Sequence, residues 1–204
     1  MRIRSYAGIV PLVGVSLMVS AVVTLAMQLP ACADTTKASA DSSKAQSDTE
    51  SCRKFVQQFY TWYTTGPQPK GKLDKYDITL KYKSAMFTPE LMQKLHDDLE
   101  AAKRNPGEIV GLDFDPFTNA QDDPGGMTAK KATMKGTNCL VDVYRKDHDA
   151  KDPNGDVIPE LTQKNGHWLF VNFHYPKASD NPANNDLIAI LKNLAADRVK
   201  YKAK

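Results

Sequence analysis

The chain has 204 residues, 27 of them basic and 24 acidic, for a formal net charge of +3. Arg2 and Arg4 lie in a distinct leader, and without them the balance is 25 against 24, too even for the concentrated basic face that nucleic acid requires. Neither a complete G-x-x-x-x-G-K-S/T loop nor G-x-G-x-x-G nor G-x-S-x-G occurs, which removes the usual nucleotide and serine-hydrolase chemistries.

The first element is the leader. Two arginines in residues 1–6 precede a stretch, 7–27, without a single charge. A basic start followed by an apolar run is the pattern of an export signal. The run also approaches the ~20 residues of a membrane-spanning helix, so length alone leaves cleaved and uncleaved forms open. Leu29-Pro30-Ala31-Cys32 resembles the lipobox of bacterial lipoproteins, which implies cleavage before Cys32 and acylation of it. Ala33 in the next position resembles cargo sorted to the outer membrane. Ala31-Cys32-Ala33 also fits an ordinary A-x-A site with cleavage before Asp34. The expectation is a signal and lipobox over 1–32 and a lipoprotein on the periplasmic side of a bacterial envelope. A free secreted domain and an uncleaved anchor are the alternatives.

Either cleavage leaves Cys52 and Cys139 as the remaining cysteines. An even pair in an oxidising compartment reads as one disulfide, and two buried thiols that never meet are the other reading.

Residues 33–47 contain no large apolar side chain and are expected to form a disordered tether. A single domain is expected over 48–204, opened by the capping-box pattern Ser47-x-x-Glu50. Phe55, Val56, Phe59, Trp62 and Tyr63 recur at helical spacing, and Gly66, Pro67 and Pro69 stop that helix. Leu73, Tyr76, Leu80 and Tyr82 suit a helix or a short strand equally. Thr88-Pro89 starts a helix with Leu91, Met92, Leu95 and Leu99 on its buried stripe, closed by Asn105-Pro106-Gly107. A loop rich in Asp, Pro and Gly follows over 111–126. Strands are expected over 127–135, 139–146, 157–163 and 168–175, the last two joined by the hairpin turn at Asn165-Gly166. Leu187, Ile190, Leu191, Leu194 and Val199 make a closing helix. Helices, then an antiparallel meander, then a helix is an α+β order.

Phe55-x-x-x-Phe59-Tyr60-x-Trp62-Tyr63, Phe87-Thr88-Pro89-Glu90-Leu91, Asp113-x-Asp115-Pro116-Phe117 and Asn165-Gly166-x-Trp168 occur in that order. Together they resemble a family of bacterial envelope proteins, many of them lipoproteins, of unknown activity. The resemblance implies a fold like nuclear transport factor 2 (NTF2), in which helices and a curved antiparallel sheet enclose a cone-shaped pocket.

Alternation along the last strand puts Trp168, Phe170, Asn172 and His174 on one face, mixing aromatic walls with polar groups as a ligand pocket does. Trp62, Phe170, Asn172, His174 and Asp142 are therefore the candidate pocket residues. In enzymes of the fold that the resemblance implies, a His and an Asp inside the cone do acid–base work, which makes His174 the acid–base candidate with Asp142 or Asp115 as its partner. Asp113 and Asp115 would point the same way in an extended segment, as a cation site needs, yet Asp115-Pro116 also reads as ordinary turn chemistry. Gly155 as the sixth position of a calcium loop would put Ala150 first and Leu161 last, which fails. His96, His148, His167 and His174 show no zinc spacing. The sequence assigns no metal, cofactor or catalytic set. The chain reads as a membrane-tethered interaction module with an envelope protein partner, the alternatives being an apolar-ligand carrier and an enzyme using His174.

Overall fold

The computed structural model describes residues 35–66, 75–105, 110–147, 153–176 and 185–202. The apolar leader, Cys32, Leu73, Pro106, Gly107 and His148 lie outside them. Among the described residues no helix is long and apolar enough to cross a membrane.

Three helices come first: α1 (Thr35–Thr65), α2 (Lys75–Lys83), which runs into a 3-10 turn (Ser84–Met86), and α3 (Pro89–Arg104). Four strands follow, β1 (Met127–Lys135), β2 (Asn138–Arg145), β3 (Ile158–Lys164) and β4 (His167–His174), and α4 (Leu187–Lys202) closes the chain. The strands form one antiparallel meander in the order β1-β2-β3-β4, so the architecture is α+β.

The start of α1 differs from expectation. Residues 35–47 are helical, so Ser47 and Glu50 lie inside α1 and form no capping box; Glu50 instead pairs with Arg53 at 2.8 Å. Extending a helix that packing has already nucleated costs far less than starting one, and the segment holds alanines at 38, 40 and 45 with no proline or glycine. Further along, Cys52, Val56, Phe59, Tyr60 and Tyr63 form the buried stripe, with Phe55 and Trp62 on its flanks. The ambiguous segment resolves as α2, which buries Ile78 and Leu80 but leaves Tyr82 61 % exposed. At the start of α3 the Thr88 side chain accepts from the Leu91 N–H and Pro89 occupies the first turn.

The interior is aromatic. Phe59 meets Phe170, Phe117 and Phe87 edge-on at ring separations of 4.9, 5.7 and 6.1 Å, and Phe170 stacks on Phe173 at 5.2 Å. Each such ring removed from water contributes about 1.5–3 kcal/mol before entropy is counted. Cys52 and Cys139, both fully buried, form a disulfide that ties α1 to β2 across a sequence separation of 87. In the chain-entropy account a loop of that size stabilises the fold by about 4–5 kcal/mol.

Both outer strands are partly covered. The Gln57 amide donates to the Met127 carbonyl and accepts from the Ala129 N–H at 2.8 Å, standing in for a neighbouring strand on β1. On β4, the Thr88 N–H donates to the Phe170 carbonyl and the Tyr175 N–H to the Asn185 carbonyl. Asn165 and Gly166, at the expected hairpin turn, both have positive φ, as a type I′ turn requires.

The closing helix is less buried than its pattern suggests. Leu187 and Leu191 are buried, but Val199 is 70 % exposed. Its far end is held by charge: Arg198 donates to Asp98 on α3 at 2.7 Å and to the Val110 carbonyl at 2.9 Å. Asp98 is almost wholly buried and also accepts from the Leu112 N–H.

Candidate functional site

Strict alternation along β4 does not hold. Leu161 pairs with Phe170 while Glu160 pairs with Asn172, so Val171 is an extra residue in a β-bulge. Trp168 and Phe170 therefore face the core before the bulge, and Phe173 and Tyr175 face it afterwards. Asn172 and His174 are turned to the opposite, outer face of the sheet. That corrects the expectation that they share a face with Phe170.

The five pocket candidates do not line one cavity. Phe170 is fully buried among the rings of Phe55, Phe59, Phe87 and Phe173. Trp62 lies half-buried on α1, with the Lys83 ammonium 4.6 Å from its ring centre. Asp142, Asn172 and His174 do come to a common surface. On β2, Cys139, Val141 and Val143 point inward, so Leu140 and Asp142 point outward, and Leu140 pairs with Glu160, itself opposite Asn172.

The hydrogen-bonding partner of His174 is Glu160 and not Asp142. His174 Nε2 lies 2.8 Å from Glu160 Oε2, and Glu160 Oε1 accepts from the Asn138 amide at 2.7 Å. Burial pushes the Asp142 carboxyl above the ordinary carboxylate range, against the pull of Lys131. Asn172 has a structural task. Its amide nitrogen donates to Asp186 Oδ1, and its oxygen accepts from the Phe173 and Ile188 N–H groups. Asp186 in turn caps α4 by accepting from the Ala189 N–H, so Asn172 fastens the start of α4 to β4.

Sequence reasoning missed Glu160 for a definable reason. The two-residue turn at Asn165-Gly166 pairs Lys164 with His167, and an unbroken ladder from there would set Glu160 opposite Val171. The bulge shifts the register by one and brings Glu160 and Asn172 into opposition.

Asp113 and Asp115 separate. Asp113 is exposed, whereas Asp115 turns inward and accepts from the Tyr63 hydroxyl and the Phe117 N–H. Burial raises the Asp115 pKa, and the bonds from Tyr63, Phe117 and Thr118 oppose the shift. Two further tyrosines grip the same segment: Tyr60 donates to the Phe117 carbonyl at 2.7 Å and Tyr175 to the Pro116 carbonyl at 2.8 Å. The Asp-Pro-Phe run is thus a pinned turn, the second of the two readings its sequence allowed. Asp156 is likewise structural, since its carboxylate accepts from the Arg145 N–H at 2.8 Å. Among the described residues no three His, Cys, Asp or Glu side chains are placed to share a metal ion.

No protein-family model, no curated protein and no solved structure matches the chain.

Proposed function

We propose that the chain is an interaction module of the bacterial envelope, held at a membrane by a lipid on Cys32 and built on an NTF2-like domain. It binds a protein partner through the outer face of the β-sheet. The observation that supports this reading is the contrast between a tightly ringed interior and an outer face on which Leu140, Ile158, Leu169 and Val171 are only partly buried beside Asp142, Glu160 and His174. Partly exposed aliphatic side chains interleaved with hydrogen-bonding groups are what a non-obligate interface offers a partner. Aromatic rings in mutual contact speak against a carrier that would hold an apolar ligand between helices and sheet. The enzyme reading retains a His–carboxylate pair, but both side chains are partly solvent-exposed, whereas acid–base work favours a site closed to water.

A photocrosslinking residue placed in the cell at 140 or 158 tests the surface. The expected result is one discrete protein adduct from each position, lost when Ile158→Arg is combined with the probe at 140, and absent with the probe at Val199. Equal adducts from all three positions would sink the assignment. Intact mass of the native protein tests the anchor: the mature chain should begin at Cys32 and carry a diacylglycerol and one further acyl group. A chain beginning at Asp34 or Met1 would overturn it.

A further inference from the structure

On the side of the molecule where α1 ends, Tyr63, Tyr76 and Phe114 wall a cleft of about 550 Å³. These rings are held in place from behind. The Tyr76 hydroxyl donates to the Leu95 carbonyl at 2.8 Å, the Tyr63 hydroxyl is taken by Asp115, and the Phe114 ring sits edge-on against Tyr175 at 5.4 Å. With its hydroxyl so engaged, Tyr76 contributes ring surface to the lining beside Phe114, whereas Tyr63 is only 5 % exposed and has Lys75 over its ring. Three exposed carboxylates complete the wall, those of Asp113, Asp122 and Asp123, with Asp115 behind them already bonded to Tyr63 and Phe117. The cleft already seats one cation. Lys75 Nζ lies 5.8 Å from the Tyr63 ring centre and 3.0 Å from Asp123 Oδ2, with its side chain only 18 % exposed. An ammonium between a π-face and a carboxylate is the arrangement by which proteins recognise organic cations.

We infer that this cleft is a binding site for alkylammonium groups, occupied in part by the protein's own Lys75. The chemistry selects the ligand class. An anion would face the exposed carboxylates of Asp113, Asp122 and Asp123, and a neutral apolar molecule would strip them of water without compensation. The carboxylates are spread along the wall, and among the described residues no three acidic, His or Cys side chains converge as a metal ion would require. Spread charge beside aromatic surface suits ammonium groups on a short alkyl chain, whether a free diamine or a lysine side chain. This site lies apart from the outer sheet face and stands independently of the partner proposed there.

The test is calorimetric titration of the full chain with 1,5-diaminopentane and with N-acetyl-lysine methylamide, using n-butanol and matched sodium chloride as controls. The expected result is saturable binding of the ammonium compounds alone. Asp113 and Asp122 are exposed, and replacing both (D113N with D122N) should weaken binding by about tenfold or more while leaving the fold intact. Lys75→Ala removes the internal competitor and should tighten it. A diamine at least ten times tighter than the lysine compound identifies a free diamine as the ligand, and equal affinities identify a lysine side chain. No saturable binding to either the native chain or K75A, an unchanged affinity in D113N with D122N, or equal binding of n-butanol would each overturn the site.

Discussion

The inner face of the sheet buries Val141, Leu161, Phe170 and Phe173 with no charged side chain among them, whereas the outer face sets Asp142, Glu160 and His174 among partly exposed Leu140 and Ile158. The two faces hold together by different physics. Inside, area removed from water and ring-to-ring contact supply the stability, so every atom lost leaves a void. Outside, each hydrogen bond replaces one with water and nets about 1 kcal/mol, so the outer residues can be exchanged at little cost to folding. A fold divided in this way is free to evolve a binding surface on one side while the other is fixed by packing.

The comparison can be broken or sharpened in steps of falling size. Phe170→Ala should cost about 3–5 kcal/mol in urea unfolding, and a loss below ~1 kcal/mol would show that the inner face is not close-packed. Replacing Cys52 and Cys139 together by Ala should cost about 2–5 kcal/mol, read the same way. Asn172→Ala removes the clasp between β4 and α4 and should cost about 1–2 kcal/mol, with earlier hydrogen exchange at the α4 amides. His174→Ala breaks a pair whose partners are 33 % and 21 % exposed, and should change stability by less than ~1 kcal/mol. A larger loss would make the outer network part of the core after all.

The smallest effect is a pH dependence. Burial raises the folded-state pKa of Asp142, so the folded protein holds that proton more tightly than the unfolded chain. The resulting stability is fully present below the unfolded carboxylate pKa and is lost as pH rises through the folded one. Asp142→Asn should therefore be as stable as the native protein near pH 3 and more stable near pH 7. The opposite order in thermal melts at the two pH values would place Asp142 in a stabilising ion pair.

Much of this was legible beforehand where one local signal was strong. Thr88-Pro89 marked the start of α3 and Asn165-Gly166 fixed the β3–β4 hairpin, because each dipeptide permits few backbone conformations. The four strands and the pairing of Cys52 with Cys139 followed from alternation and from cysteine number. What was missed depended on contacts distant in sequence. Tyr60 falls outside the helical face expected for α1, yet it is fully buried and its hydroxyl donates to the Phe117 carbonyl. The polar segment over 35–47 has no apolar stripe to announce a helix, yet it continues one already packed. The bulge at Val171 has no composition signal, since neither glycine nor proline marks it, and that one residue moved His174 from the core side to the outer face. Asp98 and Arg198 are a hundred positions apart, and no helical periodicity in either α3 or α4 foretells their meeting.

The disulfide has a mechanical consequence. Cys52 stands part-way along α1, between the Thr35 end and the rest of the buried stripe, which continues at Val56. A load applied from the Thr35 end enters β2 at Cys139 through a covalent bond before it can shear Val56, Phe59, Tyr60 or Tyr63 from their neighbours. Force on that terminus is thus spent stretching the helix ahead of Cys52, while the rings behind it stay at rest.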